Sequence, residues 1–349
     1  MIRLGIIGFG GVAHWHADSL PQDVVTITAV YDVNPDILRE ALDRGWKAYE
    51  DLEGFLMDEE IDVVLVSTPN NAHRYLTVMA LRAGKHVICE KPVTMTPEDL
   101  EQMMAEAIKA DRLFTIHQNR RWDDDYLTAR KVVESGMVGR VISMESRVVG
   151  SNGIIHGWRG IKEYGGGMLY DWGVHLVDQL CQIYPDKKIT SVCCRFGSIF
   201  NFDVEDYVKA VMTLDDGTIL HFEVNMYAME PMPRWYIVGD EGTCVIQNWG
   251  CEGSVTQSSA LARSVPPVIV QTKAGPTRSM APQPEETKKR LPLPKITSDG
   301  WQEFYRNVDA AVNKGDKLHV QPAEAMRVLR VLMACFESAK NNNCVNCEL

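Results

Sequence analysis

Short apolar runs alternate with segments of helical hydrophobic spacing through the first third of the chain. The apolar runs occupy residues 2–7, 25–31, 46–49, 62–66, 86–89 and 113–117. The segments between them have helical spacing at residues 36–44, 52–57, 72–83 and 97–109. Strands that alternate with helices in this way predict an α/β fold whose first part is a doubly wound parallel sheet.

The pattern changes after residue 119. Helical spacing at 124–135 and 168–183 is combined with strand-like runs at 141–149, 191–199, 207–214, 218–226, 235–238 and 243–248. Asp215-Asp216-Gly217 between two of these runs predicts a hairpin turn. We therefore expect an α+β part with a mostly antiparallel sheet, one face of which is free to cover an active site.

The end of the chain has a different texture. Residues 250–298 are rich in Pro, Ser and Thr, and we assign them to irregular strands or a mobile loop. Helices at 297–314 and 322–341 then close the chain, and we expect them to pack back on the first domain. The 349 residues suggest two domains. We place them at 1–120 and 121–349.

Composition and charge exclude several classes of function. The net charge is −11, and the basic cluster 288–290 lies in a proline-rich segment, so we expect no nucleic-acid partner and no anionic membrane. We find no apolar run that could span a bilayer and no secretory signal. The nine cysteines have no regular spacing, which is typical of a reducing cytoplasm. We therefore predict a cytoplasmic protein.

The first candidate site is the glycine-rich turn after the first apolar run. It reads Gly8-Phe9-Gly10-Gly11-Val12-Ala13, which is G-x-G-x-x-A between a strand and a helix. Gly8 allows a tight turn, Gly10 lets the backbone approach a pyrophosphate, and Ala13 allows close helix packing. The free N–H groups at the helix start face the negative charge. The turn predicts a dinucleotide-binding Rossmann domain over 1–120.

Asp32 at the end of the second strand selects the cofactor. A carboxylate there can accept hydrogen bonds from both adenosine ribose hydroxyls and repels a 2′-phosphate, and Val33-Asn34-Pro35 supplies no cation. We therefore predict NAD, with NADP disfavoured. The alternative is that Asp32 only caps the helix that begins near Asp36.

Two further motifs carry candidate chemistry. In Glu90-Lys91-Pro92, Lys91 follows a strand on the rim where open α/β sheets bind ligands. The alternative is a solvated loop lysine. In the segment 165–178, Asp171 and His175 are four residues apart, which places them on one helix face. A His can take up a hydroxyl proton, and a carboxylate one turn away can orient it. The alternative is a buried His–Asp pair that only satisfies itself.

Together, the glycine turn, Glu90-Lys91-Pro92 and the Gly-Gly-Gly-x-Leu-x-Asp-x-Gly-x-His motif of 165–175 resemble the Gfo/Idh/MocA family (glucose-fructose oxidoreductase, inositol dehydrogenase). The resemblance implies a Rossmann domain followed by a domain whose large, open sheet is used for oligomer contacts, so we expect a homo-oligomer, a dimer or tetramer. It implies that Lys91, Asp171 and His175 form the catalytic group. The implied chemistry is hydride exchange between nicotinamide and a secondary alcohol of a sugar or cyclitol.

Looser matches extend the predicted site. The stretch 117–126 resembles the scyllo-inositol dehydrogenase branch, where it borders the substrate. That branch often prefers NADP, whereas Asp32 favours NAD. The predicted cofactor residues are Gly8, Phe9, Gly10, Gly11, Val12, Asp32, Val33, Ser67, Thr68, Pro69, Asn70, His73, Glu90, Lys91, Asn119, Trp158 and Arg159. The predicted substrate residues are Lys91, Arg121, Trp122, Asp124, Trp158, Tyr164, Asp171 and His175. Packing within the second domain is the alternative role for Arg121, Trp122, Asp124 and Trp158.

Two other functions use the same residues. An NAD-dependent glycosidase would oxidise a sugar hydroxyl transiently, eliminate the glycosidic bond and return the hydride. A non-catalytic NAD-binding sensor would bind cofactor without turnover, and the complete Lys/Asp/His set argues against it. We predict no metal site, because His14 and His16 do not share a helix face and Cys344 and Cys347 form a lone pair in a tail expected to fray.

Overall fold

Two large β-sheets with helices packed on them form the protein in a computed structural model that describes residues 1–150, 156–258, 268–278, 285–296 and 298–349. The first sheet is parallel, with strand order β3-β2-β1-β4-β5-β6. Its strands are β1 (Ile2–Ile7), β2 (Val25–Tyr31), β3 (Lys47–Tyr49), β4 (Val63–Val66), β5 (His86–Cys89) and β6 (Phe114–Ile116). This confirms the predicted doubly wound sheet.

Five helices cover this sheet: α1 (Gly11–Ser19), α2 (Pro35–Asp43), α3 (Leu52–Met57), α4 (His73–Arg82) and α5 (Pro97–Ala110). Strand β4 is buried at every position, as expected for a strand covered on both faces. Several helix starts are capped by side chains. Asn34 caps α2, and Thr96 caps α5 ahead of a proline at the helix start.

The second sheet has nine strands in the order β16-β13-β12-β11-β7-β10-β9-β8-β17. Neighbouring strands are antiparallel except for the parallel pair β7–β10, so the mostly antiparallel sheet is confirmed. Its strands are β7 (Val141–Val149), β8 (Ile189–Gly197), β9 (Tyr207–Leu214), β10 (Ile219–Asn225), β11 (Trp235–Gly239), β12 (Gly242–Ile246), β13 (Gly253–Ser258), β16 (Lys288–Leu291) and β17 (Val345–Asn346).

Of the two expectations for residues 250–298, irregular strands or a mobile loop, the described parts contain strands. Strands β13 and β16 extend the large sheet, and β14 (Ile269–Thr272) pairs with β15 (Gly275–Arg278) in a separate hairpin. The remaining predicted positions 259–267, 279–284 and 297 lie outside the described residues. The predicted helix 297–314 is shorter in the structure, because Gly300 has φ +72° just before the helix begins at Gln302.

Four helices accompany the second sheet and the end of the chain: α6 (Asp124–Glu134), α7 (Val174–Ile183), α8 (Gln302–Lys314) and α9 (Pro322–Asn341). Buried residues of α8, such as Phe304 and Tyr305, belong to the core under the first sheet. Helix α9 contributes to both cores, with Leu329 in the first and Leu332 in the second. The last helix therefore ties the two sheets together.

The predicted helix 168–183 is interrupted at its start. Residues Leu169–Gly173 form a π-helical turn, and regular α-helix begins only at Val174. A π-helical turn has more residues per turn than an α-helix and is frequent at functional sites. The difference changes which side chains of this segment share a face.

The C-terminal tail is ordered, which corrects the expectation that it frays. Cys344 forms a disulfide with Cys193 of β8, and the adjacent Val345–Asn346 pairs with the same strand. The partner of Cys344 lies 151 residues away in the sequence, so local spacing carried no sign of it.

Among the helices that the described residues form, none combines the length and the apolar character needed to cross a bilayer.

Candidate functional site

A deep cleft runs along the carboxyl ends of the first sheet, where open α/β sheets bind ligands. Its other wall comes from the segment 158–171 of the second domain. Most predicted cofactor residues line it: Gly8, Gly10, Gly11, Val12, Asp32, Val33, Ser67, Thr68, Pro69, Asn70, Glu90, Lys91, Trp158 and Arg159. Asp171 is the predicted substrate residue that joins Lys91 and Trp158 in this lining.

The glycine turn at one end of the cleft fits a pyrophosphate. Gly8 has φ +83°, and a Cβ there would lie 2.8 Å from the carbonyl oxygen of Ser67, so a larger residue would not fit. No atom lies within 4 Å of a Cβ built at Gly10 or Gly11, where the described residues leave open space at the start of α1. Backbone N–H groups at a helix start beside open space are suited to bind phosphate.

The Asp32 carboxylate is fixed beside this turn. It accepts hydrogen bonds from the N–H groups of Phe9 (2.8 Å) and Asn34 (2.8 Å). The cap of α2 is Asn34, whose side-chain oxygen accepts the N–H of Asp36 (3.0 Å), so the capping role considered for Asp32 is wrong. The carboxylate lines the cleft and has lone pairs that can accept hydrogen bonds from hydroxyl groups. Phe9 contributes only its backbone N–H to this arrangement, because its side chain is fully buried.

Lys91 and Asp171 meet at the opposite end. The Lys91 ammonium donates to the Asp171 carbonyl oxygen (2.8 Å) and to Oδ1 of its side chain (3.0 Å). Arg159 approaches the same Oδ1 at 3.4 Å. Burial opposes ionisation of Asp171, but the positive charges of Lys91 and Arg159 outweigh it and lower its pKa. Lys91 and Asp171 are 80 residues apart in the sequence, and their ion pair connects the first domain with the second.

His175 lies on the first turn of α7 and is buried. Burial, followed by the charges of Lys91 and Arg120, holds the pKa of His175 well below its usual range, so the ring is neutral near pH 7. Its Nδ1 is buried, and no described residue forms a hydrogen bond with it. The expected hydrogen bond by which Asp171 would orient His175 is not formed between these described residues. The π-helical turn directs the Asp171 carboxylate toward Lys91 and Arg159 instead.

Two of the predicted cofactor residues form hydrogen bonds that hold the walls of the cleft in place. Asn70 donates to the carbonyl oxygen of Gly165 (2.7 Å), which joins the first-domain loop to the glycine-rich segment. His73 is fully buried between the carbonyl oxygens of Thr68 and Pro92, at 2.9 Å from each. Asn119 begins a 3₁₀ turn outside the described lining of the cleft.

The structure does not bring all predicted substrate residues to the cleft: buried His175 is outside the described lining, and so are four others. Arg121 is held by Asp178 (2.6 Å) and Glu324 (2.7 Å), in a buried ion cluster between α7 and α9. Trp122 packs against the first core. Asp124 is exposed at the start of α6, and Tyr164 lies on a 3₁₀ turn outside the described lining.

Arg120 is a residue near the site that the sequence reasoning missed. Its guanidinium lies 4.3 Å from the ring centre of Trp172 and 5.1 Å from that of Trp249, and it pairs with Asp123 at 2.9 Å. The neighbouring Arg120 and Arg121 are indistinguishable by residue type. Their opposite placements depend on contacts with segments that are distant in the sequence.

Glu205 is a second residue without a sequence signal. It is buried, and its carboxylate accepts the N–H of Leu169 (2.9 Å) at the start of the π-helical turn. A Cβ built at Gly167 would come within 2.4 Å of this carboxylate, which explains the glycine at that position. Burial raises the pKa of Glu205 to about 7. Glu205 thus anchors the segment that carries Asp171.

Comparison with known proteins assigns two successive regions of the chain to one protein family. The family described as "Oxidoreductase family, NAD-binding Rossmann fold" matches residues 2–118, and the GFO/IDH/MocA C-terminal domain matches residues 126–245. The crystal structure of an NAD-binding protein from Listeria innocua superimposes with a TM-score of 0.90 at 38% identity, covering 99% of each chain.

Curated relatives agree with this assignment. An uncharacterized oxidoreductase of Schizosaccharomyces pombe, C115.03, is 38% identical over 170 residues, which cover 47% of this chain and 45% of the relative. The scyllo-inositol 2-dehydrogenase (NADP(+)) IolW of Bacillus subtilis is 25% identical over 358 residues, covering 99% of this chain and 96% of the relative. This chain therefore belongs to the Gfo/Idh/MocA oxidoreductase family and carries its NAD-binding Rossmann domain.

Proposed function

We propose that this protein is an NAD-dependent dehydrogenase that oxidises a secondary hydroxyl of a sugar or cyclitol. One observation carries the proposal: the Lys91–Asp171 ion pair lies at the far end of the cleft from Asp32, and the charge of Lys91 acts on neutral, buried His175. A dinucleotide that extends from Asp32 brings its nicotinamide to the Lys91 end. A base and a cation at that end are the groups needed to remove a hydroxyl proton and to stabilise the oxygen.

In the proposed reaction, His175 takes the hydroxyl proton of the substrate as the C–H bond at the same carbon breaks. Bound NAD supplies the acceptor for the hydride, and the product is a ketone. Lys91 stabilises the negative charge that develops on the oxygen. Asp171 holds the Lys91 ammonium through two contacts and so fixes its direction, in place of the earlier expectation that it orients His175.

The substrate class and the cofactor rest on different supports. IolW, which is similar to this chain over nearly its whole length, is named as a scyllo-inositol dehydrogenase, and this supports a cyclitol as the first substrate to test. IolW is also named for NADP. In this chain, the Asp32 carboxylate lines the cleft beside the glycine turn, and the 2′-phosphate of an NADP bound there would meet its negative charge. We therefore infer NAD as the preferred cofactor.

The experiment is a panel of inositols, hexoses and aryl glycosides incubated with NAD or NADP, with nicotinamide absorbance and products measured together. We expect reduced nicotinamide and a ketone from at least one cyclitol or sugar with NAD. Phenol release from an aryl glycoside without accumulation of NADH would instead identify the redox-assisted glycosidase. Cofactor binding without turnover on any compound would identify a sensor.

We also infer self-association through the outer face of the large sheet. Val211 and Ile219 on neighbouring strands of this face are 37% and 41% exposed. Ion-paired side chains, including Arg147 and Glu223, lie between strands of the same face. Because these charges are paired within the face, the exposed aliphatic side chains supply the apolar surface that contact between two copies would bury. Light scattering of the purified protein tests this, with a dimer or tetramer expected and a monomer contradicting it.

A further inference from the structure

A buried hydrogen-bonded cluster lies directly behind Lys91, and the proposed reaction does not use it. Glu90 Oε1 accepts hydrogen bonds from Nε2 of His16 (2.8 Å) and from Nδ1 of His117 (2.7 Å). Glu90 Oε2 accepts the backbone N–H of Lys91 (3.1 Å). Tyr305 completes the cluster from α8, with its hydroxyl 2.8 Å from Nδ1 of His16. All four clustered side chains are buried.

The hydrogen bonds of this cluster require a particular proton arrangement. An ionised Glu90 carboxylate can only accept, so the neutral His16 ring carries its proton on Nε2, and its Nδ1 then accepts the hydroxyl proton of Tyr305. That proton is the one donated to Glu90. Burial, together with the charge of His117, lowers the pKa of His16 to about 4, so its ring stays neutral near pH 7. The cluster is therefore built to supply donors to the Glu90 carboxylate.

Glu90 keeps its negative charge in this environment. Burial opposes ionisation, but the charge and hydrogen bond of His117 and the hydrogen bond of His16 hold the pKa of Glu90 well below its usual range. The three donors, two imidazole N–H groups and one backbone N–H, satisfy the buried carboxylate in its ionised form. The result is a fixed negative charge at the Lys91 end of the cleft, whose lining includes both Glu90 and Lys91.

The charge balance at this end depends on Glu90. Lys91 and Arg159 share the single carboxylate of Asp171, which leaves one surplus positive charge. Glu90 offsets this surplus from its Oε2 side, which accepts the Lys91 N–H, whereas His117 bonds the other oxygen, Oε1. His175 is neutral. The oxidised nicotinamide ring carries a positive charge and the reduced ring carries none, so a charge at this end acts differently on the two forms.

From this balance we propose that Glu90, held ionised by His16 and His117, sets the relative affinity of the protein for the oxidised and reduced forms of its cofactor, in favour of the oxidised form. The inference rests on the proposed function, because it requires the nicotinamide at the Lys91 end. Glu90 is then a specificity-determining residue for the redox state of the cofactor. It takes no part in proton transfer.

The test measures dissociation constants of NAD⁺ and NADH by calorimetry, without substrate. Glu90→Gln keeps the size of the side chain and removes its charge. We expect it to shift the affinity ratio toward NADH on the order of tenfold, the scale of a unit charge in a partly buried site. Asp32→Asn is the matched control, because it removes a carboxylate near the adenosine end, which is identical in both forms. It weakens both by the same factor.

The outcomes separate the inference from the function on which it rests. An unchanged affinity ratio in Glu90→Gln overturns the inference alone. A parent protein that binds neither form refutes the proposed function as well. If circular dichroism shows that Glu90→Gln does not fold, Glu90→Asp carries the test, because it keeps the charge: a ratio within about threefold of the parent supports the inference, and a larger shift overturns it.

Discussion

Replacement of Lys91 by methionine removes the proposed stabiliser of the developing oxygen charge and keeps most of the side-chain volume. The Lys91 ammonium has three protons, and its contacts with the Asp171 carbonyl (2.8 Å) and carboxylate (3.0 Å) occupy two of them. One proton is left for the substrate oxygen. Because the negative charge on that oxygen develops only during the reaction, the lost interaction lowers kcat more than it changes KM.

The size of the effect follows from this single donor. Loss of one preorganised donor to an oxyanion costs about 2.7–4 kcal/mol, so kcat of Lys91→Met falls on the order of 10²–10³-fold. In the proposed binding mode, the phosphate and adenosine ribose contacts of the cofactor lie at the other end of the cleft. We therefore expect the dissociation constant of NAD to stay within about threefold of the parent value.

Steady-state kinetics on the best substrate of the polyol panel measure kcat and KM, and calorimetry measures NAD binding. Lys109→Met is the matched control, because the Lys109 side chain is 76% exposed on α5, and it should behave as the parent protein. A Lys91→Met variant that turns over at the parent rate would refute the reasoning. A variant that loses NAD binding in parallel with kcat would show that Lys91 acts on the cofactor instead.

Three further predictions concern the cofactor and stability. Asp32→Asn narrows the preference for NAD over NADP by roughly tenfold in calorimetric dissociation constants, because the charge that repels a 2′-phosphate is removed; an unchanged preference contradicts the role of Asp32. The pKa of Glu205 is raised to about 7, so its contribution to stability is present at acidic pH and is lost as the pH rises from the usual carboxyl range through about 7. Glu205→Gln should remove this part of the pH dependence, on the order of 3 kcal/mol of unfolding free energy between pH 5 and 8, as measured by urea titration at each pH. Parallel profiles of unfolding free energy against pH for the parent and the variant would argue against it. Cys344→Ser opens the disulfide to Cys193 and should cost about 2–4 kcal/mol of unfolding free energy, whereas Cys347→Ser, at a free thiol, serves as the control; equal melting temperatures would mean that the disulfide does not form.

Local pattern was sufficient to predict the parallel sheet and much of the large one. Strands such as Val63–Val66 are continuous apolar runs, and Tyr207–Leu214 alternates strictly, so each has a period that a short window reveals. The π-helical turn Leu169–Gly173 has no such signature, because five residues cannot distinguish its period from that of an α-helix. The two-residue strand Val345–Asn346 depends on pairing with β8 and is likewise invisible in the local sequence.

The residues of the site fall into the same two groups, those placed by local structure and those placed by tertiary contacts. The glycine turn and Asp32 belong to one strand–turn–helix–strand unit, so their positions follow from local structure. The hydrogen-bond partner of Asp171 is Lys91, which lies 80 residues away in the sequence, whereas the four-residue spacing had predicted His175 as its partner. Tertiary contacts also decide that Arg120, and not Arg121, lies near the site.

The most direct test of hydride transfer uses scyllo-inositol, and the other polyols of the panel, deuterated at the carbinol carbons. The protein is incubated with NAD, and the nicotinamide is analysed by NMR for deuterium at its C4 position. The account predicts that the parent protein transfers deuterium from at least one polyol to the nicotinamide and that His175→Ala, with NAD binding retained, loses this transfer by orders of magnitude. A parent protein that binds NAD and transfers no deuterium from any of these compounds would contradict the account.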